Sequence, residues 1–315
     1  MGNIKVSVIT ATYNQEEYIA HAIESVLMQK VDFEYELIVG DDCSSDRTAE
    51  IVSDFASKHP NTIVPVIRKK NLGMTGNVMD LIFKAKGEYI AFIEGDDYWL
   101  DESKLQKQVD YLDTHPEYIA VFGRCIIVDE KEIRHPEVER WSGFLAEGRD
   151  YTIKDFQEYT LPGQTATSMY RKVSYEELGK RIEQVKIPKD QMIDRMLVLL
   201  MLSLGKMYVM DEELAAYRRM MSAESGSWSS KNDYYSIDNI VKYLNGMKTM
   251  ELVAEQLGLS LDFDERRVYE LNKLYDNRGG FSKEDFLKLR KEIGQGFLTK
   301  MKYYKYRIKK DLLKK

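Results

Sequence analysis

The sequence predicts an α/β protein whose first third forms a mainly parallel sheet with crossover helices. Short apolar segments rich in β-branched residues alternate with segments of helical periodicity, and the apolar segments end in polar residues. The 315-residue chain is 43% hydrophobic and 31% charged and has only 19 Gly and 6 Pro, a composition that fits neither a disordered nor a fibrous protein. A folded protein with a sizeable core is therefore expected.

The elements of the first 128 residues follow from this alternation. Apolar Ile19, Ile23 and Val26 recur at helical spacing in the first helix, and Gly87 ends the third. The predicted strands are 5–10, 36–40, 63–68, 89–93 and 119–128, and the predicted helices are 16–29, 48–58, 77–86 and 104–115. Ligands of open α/β sheets bind outside the carboxyl ends of the strands, so the polar residues there are candidate site residues.

The second half of the chain has a weaker pattern. Residues 129–163 are predicted to be irregular, and residues 219–232, which include Trp228, are predicted to form a mobile loop of the kind that closes over substrates. The remaining predicted elements are a strand at 166–170, a helix at 191–204 with the apolar run Met196–Leu202 in the core, short strands at 206–210 and 214–217, and mainly helical structure after residue 233.

Composition also limits the location and the partners. The longest apolar run has seven residues, against roughly 20 for a bilayer span, and no secretory signal is recognised. Cys43 and Cys125 are the only cysteines, and the four histidines lack zinc-ligand spacing. We therefore expect a cytoplasmic protein.

Charge is distributed unevenly along the chain. Residues 300–315 carry eight Lys or Arg and one Asp, which leaves a net charge of −13 for residues 1–299 out of −6 overall. The acidic body argues against a nucleic-acid partner. The basic tail also carries Tyr, Ile and Leu. It either forms a solvated terminal helix or binds the inner face of an anionic membrane.

Polar clusters follow three of the predicted strands. Glu94-Gly95-Asp96-Asp97 crowds three carboxylates, which favours either a hard cation such as Mg²⁺ or Mn²⁺ or a plain turn with a helix cap. Asp41 and Asp42 end the second strand, where a carboxylate can accept hydrogen bonds from a nucleotide. The first strand ends in Thr10–Asn14, whose Tyr13 could stack on a base.

No known phosphate-binding loop accounts for these clusters. Neither a Walker lysine motif nor G-x-G-x-x-G follows the first strand. A cation at Asp96 and Asp97, with the basic run 68–70, could instead neutralise a diphosphate leaving group.

The order and spacing of these motifs resemble the family 2 glycosyltransferases. The motifs that carry the resemblance are Val6–Asn14, Leu37–Asp42, Asn71–Gly73 and Glu94–Asp97, followed more loosely by Lys189–Asp190, Gly205–Met207, Asp211–Leu214 and Tyr217–Arg218. The resemblance implies a GT-A fold, a Rossmann-like mixed sheet flanked by helices. It also implies inverting transfer of a sugar from a nucleotide diphosphate donor, usually a UDP-sugar, with Mn²⁺ or Mg²⁺.

The resemblance further implies roles for individual residues. Thr12 and Tyr13 would line the base, Asp41 would contact the uracil, and Asp96 and Asp97 would lie at the metal. Glu94 stands where the family's metal motif usually begins with Asp. The full set of implied donor contacts is Thr10, Thr12, Tyr13, Asp41, Asp42, Asn71, Glu94 and Asp96.

The catalytic base implied by the resemblance is Asp190, although Lys189 departs from the usual residue before it. An inverting transfer needs one positioned carboxylate to take the proton of the acceptor hydroxyl. Asp190 could equally cap a helix after Pro188, and Asp194 is a competing carboxylate on the same helical face. Gln164 lies in the region that resembles the acceptor wall and is the predicted acceptor contact, while Arg218 and Arg219 are candidates for phosphate contact.

The predicted organisation has three parts. They are a catalytic domain at 1–218 with a donor half (1–128) and an acceptor half (129–218), the mobile loop 219–232, and a helical extension at 233–315 that ends in the basic tail. We expect a nucleotide-sugar donor and a saccharide, lipid-linked or protein-linked acceptor, in surface glycan synthesis. The alternatives are a sugar nucleotidyltransferase and a non-catalytic nucleotide- or glycan-binding module. The sequence is also compatible with a homo-oligomer.

Overall fold

A computed structural model describes residues 3–140, 142–185, 194–220 and 237–276. The strands are β1 (Val6–Thr12), β2 (Tyr35–Asp41), β3 (Ile63–Ile67), β4 (Tyr89–Phe92), β5 (Tyr98–Trp99), β6 (Tyr118–Val128), β7 (Arg149–Tyr151), β8 (Met169–Arg171) and β9 (Lys206–Arg218). The helices are α1 (Ile19–Leu27), α2 (Thr48–Lys58), α3 (Gly73–Lys84), α4 (Lys104–Thr114), α5 (Pro136–Glu139), α6 (Ile153–Gln157), α7 (Lys172–Val185), α8 (Asp194–Leu202), α9 (Ile237–Gln256) and α10 (Asp264–Asp276).

Within these ranges the strands form one mixed sheet. The order is β3-β2-β1-β4-β8-β6-β9-β5, and β7 pairs with β9. The first four strands are parallel, as the alternation predicts, and β8 runs antiparallel to β4 and β6. The parallel register aligns Thr12 on β1 with Asp41 on β2, so the polar ends of these strands lie side by side.

The parallel strands β1, β2 and β4 are buried on both faces because helices cover both sides of the sheet. One face, with Val8 and Leu37, packs against Ile23 of α1 and against α2 and α4. The other face, with Ile9 and Ile38, packs against α3. This two-sided burial explains why the strands are continuous apolar runs in the sequence.

The elements of the second half differ from the sequence prediction in four places. The predicted strand 166–170 is a 3-10 turn at Thr165–Thr167 followed by the shorter strand β8. The predicted short strands 206–210 and 214–217 are one strand, β9, which pairs with β6 along its length. The register of that pair shifts around Asp211 and Glu212, so the polar residues that indicate a break belong to a bulge. Residues 129–163 contain α5, β7 and α6, and the segment after β8 forms α7, which no sequence pattern predicted.

The chain divides into two compact units. The first comprises residues 1–152, 161–182 and 200–221, and contains the sheet. The second comprises the described residues within 153–160, 183–199 and 222–315. Within the second unit, the rings of Phe156 and Tyr159 pack against Phe263, and Arg267 forms ion pairs with Glu251 and Asp264.

The described helices include none with the length and apolar character needed to cross a bilayer. The apolar run in α8 is instead core, because Met196, Leu199 and Leu200 are buried.

Candidate active site

The loops that follow β1 and β2 are joined by hydrogen bonds. The side-chain oxygen of Asn14, a residue with a φ of 52°, accepts a hydrogen bond from the backbone N–H of Ser45 at 2.8 Å. Oγ1 of Thr48 accepts another from the backbone N–H of Gln15 at 2.8 Å. Because these bonds connect the backbone of one loop to a side chain of the other, the two loops hold each other in place. The ends of β1 and β2 therefore form one surface.

The three predicted donor contacts at the end of β1 differ in exposure. Thr10 and Thr12 are buried, whereas the side chain of Tyr13 is 50% exposed. The hydroxyl of Thr12 donates to Oε1 of Gln15 at 2.7 Å. Among these three residues, Tyr13 therefore has the accessible face that a stacking ligand needs.

Asp41 is held at the end of β2 by its own turn. Its Oδ2 accepts a hydrogen bond from the backbone N–H of Ser44 at 3.1 Å, and its Oδ1 accepts from the hydroxyl of Ser44. Cys43 turns the chain back with a φ of 67°. The carboxylate is thus buried and fixed by its own turn, and a contact between Asp41 and uracil stays a prediction.

Asp42 and Asn71 connect the end of β2 to the loop before α3. Oδ1 of Asp42 accepts a hydrogen bond from the backbone N–H of Leu72 at 2.8 Å. Nδ2 of Asn71 donates to the backbone oxygen of Asp42 at 3.0 Å. These groups brace the two loops against each other, and direct donor contacts from Asp42 and Asn71 stay predictions.

The basic run 68–70 is only partly available to an anion. The Arg68 guanidinium donates to Asn77 at 2.9 Å and to Asp80 at 2.8 Å, and it lies 3.9 Å from Oδ1 of Asp42. Lys69 and Lys70 are exposed. Within this run, Lys69 and Lys70 are therefore the residues that could contact a diphosphate.

The acidic turn after β4 is pressed against the end of β1. The backbone N–H of Asp97 donates to the backbone oxygen of Glu94 at 3.1 Å, which closes the turn. A Cβ atom on Gly95 would lie 2.3 Å from Oε1 of Gln15 and 2.7 Å from Oγ1 of Thr12. The close approach requires glycine, and it brings the acidic turn to the surface formed by the ends of β1 and β2.

Asp97 is the innermost carboxylate of this turn. Its Oδ1 accepts a hydrogen bond from the backbone N–H of Arg218 at 2.8 Å, and its Oδ2 accepts from Nε2 of Gln164 at 3.0 Å. Burial raises the pKa of Asp97 well above its usual range, and the neighbouring carboxylates of Asp96 and Glu94 raise it further. Both oxygens of Asp97 are therefore committed to bonds within the protein.

Gln164, the predicted acceptor contact, is buried beside the acidic turn. Its Nε2 also lies 3.4 Å from Oε2 of Glu94, and its Oε1 accepts a hydrogen bond from the backbone N–H of Ala166. The amide is used at both ends, so Gln164 positions the carboxylates. A contact between Gln164 and an acceptor stays a prediction.

Arg218, a predicted phosphate contact, is 3% exposed and braces the site from β9. Its Nε donates to the backbone oxygen of Asp96 at 2.9 Å, and its Nη2 donates to Glu132 at 2.9 Å. The guanidinium carbon lies 4.5 Å from the centroid of the Tyr18 ring. With its guanidinium enclosed by these protein groups, Arg218 acts as a brace in this structure.

Asp96 of the acidic turn could hold a cation only together with substrate oxygens. No group of three or more His, Cys, Asp or Glu side chains is arranged as a metal cage within the described ranges. The loss of water around its carboxylate raises the pKa of Asp96. An adjacent cation would lower that pKa again, because it favours the ionised form. Mg²⁺ is commonly bound through one or two carboxylates plus substrate phosphates, and Asp96 offers such a carboxylate.

Several predicted features lie outside the described residues. They are Asp190, Trp228 with residues 221–232 of the predicted loop, and the basic tail 300–315. The competing carboxylate, Asp194, is the first residue of α8 and is exposed.

Two residues that contribute to the site were not predicted from the sequence. Gln15 receives the Thr12 hydroxyl bond and lies against Gly95, and Glu132 anchors Arg218. Gln15 follows directly on Tyr13 and Asn14, and this position in the loop was the one sequence feature that could have indicated its role in the site. No local sequence pattern indicated Glu132, because its partner Arg218 is 86 residues away.

Comparisons with known proteins agree with this architecture. An uncharacterized protein of Mycobacterium tuberculosis is 33% identical over 214 residues, which are 68% of this chain and 58% of that protein. The chain thus matches less than two thirds of the length of that relative. The poly(ribitol-phosphate) β-N-acetylglucosaminyltransferase TarS of Staphylococcus aureus is 34% identical over 116 residues, 36% of this chain and 19% of TarS.

Solved structures show the same fold. The structure of S. aureus TarS 1-349 in complex with UDP-GlcNAc aligns with a TM-score of 0.62 and 20% identity, covering 92% of this chain and 80% of that one. The mannosyltransferase PcManGT of Pyrobaculum calidifontis, in complex with GDP-Man and Mn²⁺, aligns with a TM-score of 0.52 and 14% identity, covering 96% and 84%. These likenesses confirm the predicted GT-A-type mixed sheet.

The family model described as glycosyl transferase family 2 matches residues 7–179, more than half of the chain, including the ends of β1, β2 and β4. The chain belongs to glycosyl transferase family 2.

Proposed function

We propose that this protein is an inverting glycosyltransferase that moves a sugar from a nucleotide diphosphate donor, UDP being the expected nucleotide, to a hydroxyl group of a glycan acceptor. The observation that carries the proposal is the meeting of three strand ends, where Gly95 of the acidic turn lies against Thr12 and the loops after β1 and β2 are joined. Family membership and the likeness to TarS bound to UDP-GlcNAc support the same reading.

The donor half of the site would work through groups that are already oriented. Tyr13 offers a face for the base, and the fixed carboxylate of Asp41 lies at the neighbouring strand end. Mn²⁺ or Mg²⁺ would be held by Asp96, and it would supply positive charge to the diphosphate as that group leaves. Asp97, braced by Gln164 and Arg218, would keep the turn in place.

The transfer itself needs one base. The acceptor oxygen forms a bond to the anomeric carbon from the face opposite the diphosphate, the bond from that carbon to the diphosphate oxygen breaks, and Asp190 takes the proton of the acceptor hydroxyl. We propose a saccharide as acceptor, free or linked to lipid or protein, in the synthesis of a surface glycan.

The test measures UDP release from a panel of UDP-sugars with saccharide acceptors, together with UDP binding. Asp190→Asn should keep UDP binding and lower kcat by at least about a hundredfold. Asp194→Asn is the matched control and should keep most of the activity. Equal activity of wild type and Asp190→Asn would contradict the proposed base, and nucleotide binding without turnover of any donor would favour a binding module. Formation of a UDP-sugar from UTP would favour the nucleotidyltransferase.

A further inference from the structure

Helix α3 carries an exposed apolar stripe on the side that faces away from the sheet. Leu72, Met79 and Phe83 share one helical face at spacings of seven and four residues, and their side chains are 48%, 37% and 80% exposed. Met74 in the first turn is 70% exposed. Large apolar side chains grouped in this way are typical of an interaction surface.

Lysines lie at both ends of this helix. Lys69 and Lys70 precede it, and Lys84 and Lys86 are 47% and 71% exposed at its carboxyl end. Residues 68–88 hold five basic and two acidic residues, whereas the protein as a whole has a net charge of −6. In the part of the chain that the structure describes, Lys69 and Lys70 form no ion pair.

The acidic residues of the segment are already engaged. Asp80 lies 2.8 Å from Nη2 of Arg68 and 3.3 Å from Nζ of Lys84, and Glu88 pairs with Lys5 at 2.8 Å. Nζ of Lys86 lies 3.8 Å from Oε2 of Glu36, outside the segment. Exposed Lys69 and Lys70, which have no carboxylate partner within the described residues, therefore lie beside the apolar stripe, and large apolar side chains flanked by exposed lysines are the pattern that binds an anionic lipid surface.

The same helix reaches the candidate active site. Leu72, the first residue of the stripe, donates its backbone N–H to Asp42 at the crevice while its side chain is exposed. A membrane bound by the stripe would lie close to the donor site, where a lipid-linked acceptor could be presented.

We propose that α3 is a membrane-docking helix, which inserts Met79 and Phe83 between lipid headgroups while Lys69, Lys70, Lys84 and Lys86 contact anionic phosphates. The surface is distinct from the predicted contact of residues 300–315. Docking requires no sugar transfer, so its test is independent of the proposed function.

The first experiment measures sedimentation of the full-length protein with vesicles of mixed phosphatidylglycerol and phosphatidylcholine, and with vesicles of phosphatidylcholine alone. Wild type should bind the anionic vesicles. Met79→Ser/Phe83→Ser and Lys69→Gln/Lys70→Gln should each weaken binding by about tenfold or more. The matched controls Leu252→Ser, at a side chain 52% exposed, and Lys30→Gln/Lys58→Gln should change binding less than about twofold.

A local probe separates α3 from the tail. Phe83→Trp should show a blue-shifted emission and quenching by brominated lipid on anionic vesicles, after subtraction of the wild-type spectrum. Two results would overturn the proposal. One is a loss of binding in Lys309→Gln/Lys310→Gln while the α3 variants bind like wild type. The other is a dimer, seen by light scattering, that Met79→Ser/Phe83→Ser dissociates without any change in vesicle binding.

Discussion

The backbone N–H of Arg218, at the end of β9, lies 2.8 Å from Oδ1 of Asp97 in the acidic turn after β4. The two residues are 121 positions apart in the sequence. The same arginine donates its Nε to the backbone oxygen of Asp96. One residue therefore fixes both the innermost carboxylate and the backbone of the turn that carries the candidate cation ligand.

Replacement of Arg218 should loosen this turn. Arg218→Met keeps the backbone N–H but removes the guanidinium that donates to the backbone oxygens of Asp96 and Asp129 and to Glu132, so we expect a loss of about 1–3 kcal/mol in the free energy of unfolding. Urea unfolding measures this change, and UDP affinity should fall with it. Arg218→Lys is the control for charge, and it should remain impaired because an ammonium lacks the planar fork. A lysine variant as stable as wild type would show that charge alone suffices.

Gly95 should be intolerant of even one additional carbon. In Gly95→Ala the new Cβ would overlap Gln15 and Thr12, so the turn must shift, at an expected cost of about 1–3 kcal/mol. Gly179→Ala in α7 is the matched control, since its Cβ would meet nothing within 4 Å, and it should be neutral or stabilising. Thermal unfolding and UDP titration of both variants test the difference. An unperturbed Gly95→Ala would refute the close approach of the two loops.

Tyr13 should contribute to nucleotide affinity and little to stability. Its side chain is half exposed, and stacking of a base on an aromatic ring is worth about 1–3 kcal/mol. Tyr13→Ala should weaken UDP binding about 5- to 150-fold at an unchanged melting temperature, whereas Tyr13→Phe should bind like wild type. Calorimetry of the two variants provides the comparison, and equal affinity of Tyr13→Ala and wild type would exclude stacking at this residue.

Lys104 should make stability depend on pH. Its side-chain nitrogen is fully buried, 2.8 Å from Oε1 of Gln108 and 4.1 Å from the centroid of the Trp99 ring, and burial lowers the pKa of Lys104 well below its usual value of 10.5. Between the folded and unfolded pKa values the unfolded chain binds more protons, so stability should rise as the pH rises toward the unfolded value.

Urea unfolding from about pH 7 to about pH 9.5 tests this dependence through the difference between wild type and Lys104→Met. The variant should lose the rise that wild type shows. Lys58→Met, at an exposed position, should keep it. Parallel pH profiles of wild type and Lys104→Met would contradict the lowered pKa of Lys104.

The sequence predicted the donor half of the fold well because its information is local. A strand buried on both faces, such as β1, is a continuous apolar run, and the polar residues that end β1, β2 and β4 mark the site directly. The motifs from Val6 to Asp97 predicted the family, and the family model confirms it.

The remainder depended on distant contacts that no local pattern encodes. The roles of Gln164 and Arg218 as braces require β8 and β9 to lie beside the acidic turn, and the bulge at Asp211 made one strand resemble two. Helix α7 follows directly on β8, without a cap or turn pattern to separate them.

The most direct test of the central claim is a calorimetric titration of UDP, with GDP and CDP as comparators, with and without Mn²⁺, on wild type and Asp96→Asn. The account predicts that UDP binds wild type more tightly than the other nucleotides do, that the binding requires Mn²⁺, and that Asp96→Asn loses it. If no nucleotide diphosphate binds wild type with or without the cation, the strand ends do not form a donor site and the transferase proposal is wrong.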